Sequence, residues 1–423
     1  MPSQFHKWLD WIDGEYEQML SSTITLAEVN SGSLNREGVN KVGAAVIDLF
    51  SPLEADVKIL PVAHYTRLNT LGVLEDIKLG DAVVLSKRPD APLQIFLIAH
   101  LDTVFASDHP FQKVTWLDSE TLNGPGVTDL KGGILVMLKA LQAFERSPWA
   151  EQIGWKILFN PDEEIGSPGS ADLIRSMAAQ VDLGLIYEPS MPDGNLAGAR
   201  KGSGNFGVLV RGRSAHAGRE HHLGRNAIRA MCDFISALDN LNGHRQGVTI
   251  NPGTISGGSS VNAVPDTCVA HFNIRLEHPG DEGWCLDRIN DLITEINARE
   301  GLHIKLHGGF GRKPKVLTNE NLRLFELTRE CGMELGTYLS WHATGGCCDG
   351  NNLAAAGVPN VDTLGVKGGK IHSSDEYLNV KSLTERAKLS ALLLMKLATS
   401  DTNWLTDSSE RESNRCNNKE TNE

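Results

Sequence analysis

The feature that most constrains this fold is the run Gln94-Ile95-Phe96-Leu97-Ile98-Ala99-His100-Leu101-Asp102-Thr103. Uninterrupted apolar residues from Ile95 to Ala99 require burial on both faces, which a strand inside a parallel sheet provides. The run ends in a histidine and an aspartate two residues apart. Ligands bind outside the carboxyl ends of the strands in open α/β sheets, so His100 and Asp102 fall where a site is expected. A lone strand-end histidine is more often structural, but the pattern recurs. Trp155 to Asn160 runs into Asp162-Glu163-Glu164, Val181 to Tyr187 runs into Glu188-Pro189, and Val361 to Val366 is followed by His372. Strand-like segments thus deliver His, Glu-Glu, Glu and His to one edge, a composition suited to metal ions.

The chain has 423 residues, which predicts two domains, and 40% are apolar, enough for substantial cores. A formal charge of -13 argues against nucleic acid or an anionic membrane as partner, because both need clustered cations. The first residues lack the basic and apolar regions of a secretory signal. No stretch reaches the roughly 18 to 20 apolar residues of a membrane span. The seven cysteines are odd in number and scattered, with Cys347 and Cys348 adjacent, which disfavours a disulfide framework. A cytoplasmic protein is expected.

The order of elements predicts an α/β fold with a mixed, largely parallel sheet flanked by helices. Residues 6–50 read as two helices separated by the turn at Asn30 to Asn35, and Asp56 to Leu60 and Ala82 to Ser86 read as neighbouring strands. A helix is expected from Lys131 to Phe144, just after Asp129. Residues 199–313 differ in texture: strand, helix, strand, helix, strand suggests an inserted α+β lid. The catalytic domain is then discontinuous, 1–198 and 314–405, with helices near 320–335 and 382–399. The polar stretch 406–423 is predicted to be disordered.

Carboxylates and imidazoles without cysteine suit Zn²⁺, Mn²⁺ or Co²⁺. A pair of metals about 3.5 to 4 Å apart needs a bridging carboxylate. Asp129, alone in a tight Gly-rich loop, is the natural bridge among His100, Asp129, Glu164, Glu188 and His372. Sharing it would give each metal three protein ligands. Asp102 can then orient His100, and Glu163 can accept the proton of the activated water and pass it to a leaving nitrogen.

The motifs His100-Leu-Asp102-Thr103, Gly126-Val-Thr-Asp129-Leu-Lys131-Gly132-Gly133, Asp162-Glu163-Glu164, Glu188-Pro189 and His372-Ser-Ser-Asp-Glu376 together resemble the dinuclear zinc exopeptidase family. That family includes carboxypeptidase G, aminoacylase, acetylornithine deacetylase and succinyl-diaminopimelate desuccinylase. The resemblance spans nearly the whole chain except the tail. It implies two Zn²⁺ per subunit, with Co²⁺ or Mn²⁺ as possible substitutes, one held by Asp129, Glu164 and His372 and the other by His100, Asp129 and Glu188. It further implies Glu163 as general base, Asp102 as support for His100, and a homodimer in which the inserted region serves as lid and dimerisation domain. Ser214-Ala-His216-Ala-Gly218 matches the motif whose histidine reaches the partner's active site to stabilise the oxyanion, and Asn262 would contact the substrate. Arg275 and Arg312 are placed like the arginines that carboxypeptidase G members use near substrate carboxylates. Cys347-Cys348 departs from the Gly, Ser or Thr more usual in that loop.

The expected reaction is amide hydrolysis of an N-acyl or peptidic amino acid with a free carboxylate, with glutamate as the favoured C-terminal residue. The alternatives are a deacylase of N-acetyl or N-succinyl amino acids and an inactive binding protein of the same fold.

Overall fold

The computed structural model describes residues 4–405, so the expectation for the stretch 406–423 lies outside the described residues. Its main sheet has six strands: β1 (Asp56–Pro61), β2 (Asp81–Lys87), β3 (Leu93–His100), β4 (Ile153–Asn160), β5 (Leu183–Ile186) and β10 (Asn360–Val361). They run in the order β1-β2-β4-β3-β5-β10, with β1, β2 and β4 paired antiparallel and β4, β3, β5 and β10 parallel. β3 lies inside the sheet and both its faces are covered. Ile95, Leu97 and Ala99 enter the larger core with helices α1 (His6–Asp13), α2 (Tyr16–Ala27), α3 (Arg36–Phe50), α4 (Gly132–Glu145) and α10 (Ser382–Thr399). Phe96 and Ile98 enter a second core against α5 (Ala171–Ala178) and α9 (Asp349–Ala355). Each large side chain so buried contributes about 1.5 to 3 kcal/mol of transfer free energy, which explains the unbroken apolar run.

A second sheet holds β6 (Gly202–Arg211), β7 (Thr249–Gly257), β8 (Thr267–Leu276) and β9 (His303–Arg312), all antiparallel in the order β7-β8-β6-β9. Phe206, Val208 and Val210 of β6 and Ala270, Phe272 and Ile274 of β8 pack with α6 (Ala227–Asp239) and α7 (Asp281–Asn297) in a core of their own. Because side chains alternate along a strand, the intervening His271 and Arg275 of β8 and His307 of β9 face a cavity between the two sheets. A hairpin of Tyr65–Leu68 and Leu74–Ile77 reaches this second sheet, where His271 Nε2 donates to the Leu68 carbonyl at 2.9 Å.

Three expectations are corrected. Residues 6–50 form three helices, because the chain turns at Gly14 and thereby brings both Ile12 and Met19 into the core. The segment from Val361 to Val366 is strand only at its start. Asp362 turns into ion pairs with Arg200 (2.9 Å) and Lys315 (2.8 Å), and Thr363 takes φ +64°, which ends the pairing. The second sheet also contains β7, which the simpler strand and helix alternation omitted. It is an edge strand with Pro252 and a register shift, and most of it is exposed, so its periodicity is weak.

Candidate metal centre

His100 is the last residue of β3, fully buried, and its two ring nitrogens face different partners. Nδ1 lies 3.0 Å from the Asp102 carbonyl and 3.3 Å from Asp102 Oδ1, so it carries the proton and leaves Nε2 as a donor atom toward a metal. Nε2 lies 3.2 Å from Asp129 Oδ1 and 3.9 Å from Glu188 Oε1. The Asp102 carboxylate also accepts the Ser33 hydroxyl at 2.7 Å and the backbone N–H groups of Glu163 and Glu164 at 3.1 Å each. One carboxylate therefore fixes the histidine and the loop bearing both glutamates.

Asp129 sits in a loop between Gly126, at φ +70°, and the start of α4. Glu376 organises this loop, accepting the N–H groups of Gly126 (3.0 Å), Thr128 (2.9 Å) and Asp129 (3.0 Å). Buried Lys131 donates to Ser31 Oγ at 2.9 Å and to the Leu101 carbonyl, and burial brings its ammonium down to about 8. At Gly133 a Cβ would stand 2.2 Å from the Tyr187 carbonyl oxygen, so only glycine lets α4 approach the end of β5. That approach brings the start of α4, just after Asp129, against the strand end that leads into Glu188.

His372 arrives from a small sheet rather than from the main one. Gly368–Gly369 pairs with Tyr377–Asn379, which pairs with Thr121–Asn123 just ahead of the Asp129 loop. The turn between the first two strands holds His372 at φ +63°, a conformation uncommon for a side chain of this size and often found where function requires it. Its Nε2 lies 3.3 Å from Asp129 Oδ2 and 3.1 Å from Glu164 Oε2.

The charges in this cluster are stressed. Burial and then the charge of Asp129 push the Glu164 carboxyl up to about 8, while burial and the neighbouring Glu163 push Glu188 well up. Burial raises Glu163 as well, with Arg312 opposing it. Hydrogen bonds to Asp129 and Glu164 lift His372 to about 11. Burial works against a charged His100, yet its bonds to Asp102 and Asp129 carry it well above the usual imidazole range. These shifts share one cause, namely several buried carboxylates in want of positive charge. His100, Asp129 and Glu164 offer ligand atoms all within 4.8 Å of one another, as do His100, Glu163 and Glu188. The donors are nitrogen and oxygen, with Asp129 facing both imidazoles, so the residues fit a pair of divalent cations of the zinc, cobalt or manganese kind.

A cavity of about 680 Å³ opens beside the cluster, between the two sheets and the 65–68 strand. It is lined by Glu163, Glu164, His372, Arg275, Arg312 and Cys347, among others. Arg275 donates from Nε to Asn273 Oδ1 and from Nη1 to Cys347 Sγ, both at 2.9 Å. Arg312 is buried, and its Nη2 lies 2.9 Å from Glu163 Oε1.

The structure thus gathers His100, Asp102, Asp129, Glu163, Glu164, Glu188 and His372. Arg275 and Arg312 lie in the adjoining cavity. His216 and Asn262 are not among the residues lining it. They are exposed on the second sheet's connecting loops, where the Ala217 N–H bonds the Asn262 carbonyl at 2.9 Å. The sequence reading gave no role to Glu376 or Asp349. Glu376 stood inside the His372 motif, but only the fold shows which backbone it holds.

A model of peptidase family M20/M25/M40 matches residues 96–396. Carboxypeptidase G2 of Pseudomonas sp. (strain RS-16) is 26% identical over 392 residues, covering 90% of each chain. Succinyl-diaminopimelate desuccinylase of Bordetella bronchiseptica is 26% identical over 371 residues, covering 80% of this chain and 94% of that one. Among solved structures, an M20 family metallo-carboxypeptidase of Sulfolobus solfataricus, Sso-CP2, matches with a TM-score of 0.70 at 17% identity, covering 90% of this chain and 99% of that one, a likeness of fold.

Proposed function

The chain belongs to peptidase family M20/M25/M40 and is a metal-dependent hydrolase, and from that premise we propose that it is a dinuclear zinc carboxypeptidase that releases C-terminal glutamate from N-acyl or peptidic substrates. The observation that carries this reading is the position of Asp129, with His100 3.2 Å from one oxygen and His372 3.3 Å from the other. Glu188 flanks the first imidazole and Glu164 the second, so Asp129, Glu164 and His372 would hold one metal and His100, Asp129 and Glu188 the other. Bound metals of this kind acidify water and polarise a carbonyl.

The chain's own residues supply the rest. The Glu163 carboxylate takes the proton of the attacking water and returns it to the departing nitrogen. Asp102 keeps His100 in the tautomer that presents Nε2. Arg275, whose planar fork suits a carboxylate, binds the substrate's free carboxyl group. His216 accepts the N–H groups of Gly218 (3.1 Å) and Arg219 (3.2 Å) at Nδ1, which leaves Nε2–H directed outward. In our reading that N–H stabilises the oxyanion of a second copy of the chain, and Asn262 contacts the substrate there. A homodimer in the cytoplasm, with 199–313 as lid and dimerisation domain and 1–198 with 314–405 as the metal-binding domain, is the corresponding architecture. Among the described residues no helix is long and apolar enough to cross a membrane.

A deacylase of N-succinyl or N-acetyl amino acids is the second reading, favoured by the desuccinylase relative, and it would use the same centre. Amine release by the zinc-loaded protein separates the two. Faster turnover of an aromatic N-acyl-glutamate than of N-acetyl-ornithine supports the carboxypeptidase, and the reverse order assigns the protein to the deacylases.

A further inference from the structure

Cys347 stands where two guanidinium groups meet the cavity beside the metal cluster. Its Sγ accepts a hydrogen bond from Arg275 Nη1 at 2.9 Å and lies 3.8 Å from Arg312 Nη1, and all three side chains line that cavity. Neither arginine is used up by the fold. Arg275 bonds Asn273 through Nε, and its Nη2 makes no hydrogen bond among the described residues. Arg312 is 5% exposed and turns Nη2 toward Glu163 Oε1 (2.9 Å) and Ser167 Oγ (2.8 Å), yet among the described residues its buried Nε has no partner and its Nη1 has only the sulfur. A buried cationic N–H left unpaired is costly, so this end of the cavity suits an anion. The sulfur lies against both cations.

The neighbouring thiol is of another kind. Cys348 is 2% exposed, accepts the Gly350 N–H at 3.3 Å at the start of α9, and burial pushes its thiol well up. Cys347 is partly exposed, lines the cavity and touches a guanidinium nitrogen, the accessible and electropositive surroundings in which thiols react. A disulfide with a carboxylate near its sulfur atoms is drawn to the same arginines, because their planar forks suit that group. Charge and sulfur then arrive together.

We propose that Cys347 is a thiol-modification site that takes small carboxylate-bearing disulfides, and that the adduct closes the carboxylate end of the cavity to substrate. The Cys347 thiolate attacks one sulfur of the disulfide, a new S–S bond forms as the old one breaks, and the departing thiolate takes up the proton that Cys347 gave up. No other oxidant or reductant is needed. The attached group must fill the space in front of Arg275 or push its Nη1 off the sulfur, because that nitrogen is already in contact at 2.9 Å. Cys348 is buried and bonded, so an external thiol reverses the adduct. The proposal rests on the amide-hydrolase reading for the claim that substrate brings its carboxylate to these arginines.

The test treats the full-length, zinc-loaded protein with dithiobis(nitrobenzoate), an anionic disulfide, and with dithiodipyridine, a neutral one. Peptide mapping by mass spectrometry follows Cys347 and, as an internal standard, the exposed Cys232 on α6. We expect the anionic reagent to favour Cys347 over Cys232 by about tenfold more than the neutral one does, and Arg275→Gln to erase that preference. Free glutamate is expected to slow the reaction at Cys347 and to leave Cys232 unaffected. Amine release from an aromatic N-acyl-glutamate is expected to fall in step with the fraction of Cys347 modified, at constant zinc content, and to return with excess thiol. In Cys347→Ser, whatever activity remains is expected to resist both reagents; should that variant fold poorly, the mapping in the parent protein decides. A Cys347 that stays unmodified while Cys232 reacts overturns the proposal. So does full modification with amine release intact, an equal preference for the two reagents, or a rate at Cys347 that glutamate leaves unchanged in protein that turns over N-acyl-glutamate. A protein that hydrolyses no N-acyl amino acid defeats the hydrolase reading alone, and the charge preference at Cys347 still decides whether the modification site exists.

Discussion

The carboxyl edge of the six-stranded sheet and the loops carrying His216 and Asn262 differ in how much a single chain completes. At the sheet edge, every polar group near the proposed metals is buried or oriented by its own chain. Asp102 fixes His100, Glu376 fixes the Asp129 loop, and Arg312 touches Glu163. At the loops, His216 and Asn262 are exposed and lie outside the cavity, although backbone N–H groups already set the His216 tautomer. The contrast teaches that a buried cluster must be completed within the fold that buries it, since unpaired charge there is costly. A solvated loop can wait for a second chain.

The comparison is broken most severely at the cluster. Removing metal by chelation and dialysis is expected to abolish amine release, with Zn²⁺ restoring it, and Glu163→Gln is expected to lower kcat by about 10³-fold at unchanged metal content. A Glu163→Gln protein as active as its parent refutes the assignment of the base.

The loops are tested by His216→Ala, expected to lower kcat by about 10²-fold if its N–H serves the oxyanion. Mixing this variant with Glu163→Gln sharpens the contrast. If His216 acts across a dimer, random exchange of subunits regenerates about a quarter of the parental sites. No recovery in subunits shown to exchange would place His216 at work within its own chain.

A smaller effect is expected at the support of the cluster. Glu376→Gln keeps the shape but weakens the acceptor for three N–H groups, and zinc affinity measured by competition with a chelator is expected to fall about 10- to 100-fold. Unchanged affinity would show that the loop around Asp129 holds its form without that carboxylate.

The smallest effect lies away from the cavity. Glu145 is paired with Arg88 and Lys87 and bonded to Trp155. Burial opposes its ionised form, but the bonds from Arg88 and Trp155 hold the carboxyl below its usual range. A carboxyl lowered in the folded state stabilises the fold above its unfolded pKa, near 4.5, and that contribution disappears as pH falls through the folded value. Glu145→Gln is thus expected to cost about 1 to 2 kcal/mol at pH 7 by urea unfolding, a difference that shrinks in acid. A constant difference from pH 7 to pH 3 would rule out this ion pair as its source.

Much of the fold was legible because both periodicities are strong. The run from Ile95 to Ala99 could only be a strand covered on both faces, and the spacing of Ile134, Met137, Leu138 and Leu141 could only be a buried helix stripe. The edge strand Thr249–Gly257 was hard to see because an exposed strand needs no apolar alternation. Glu163, Glu164 and Glu188 were legible because each follows a strand, and Asp129 because it stands in a Gly-rich loop just ahead of a helix. His372 was placed correctly near Asp129 by its motif, but through the wrong element, since it comes from a small sheet rather than from a strand over 361–366. Arg275 and Arg312 read alike in the sequence, and only the fold shows that Arg312 Nη2 lies 2.9 Å from Glu163 Oε1 while Arg275 is braced by Asn273 and Cys347.

The sequence by itself determined the α/β architecture, the edge on which the site is built and the residue types assembled there, because burial demands periodicity and metal chemistry demands nitrogen and oxygen donors. Only the tertiary structure decided which acids hold backbone, which side chains contact each of the two cavity arginines, and that His216 and Asn262 stand away from the cluster. Those assignments depend on distances between residues far apart in the chain, such as Glu376 to Asp129 and Arg312 to Glu163, and on which side of a strand or loop faces water.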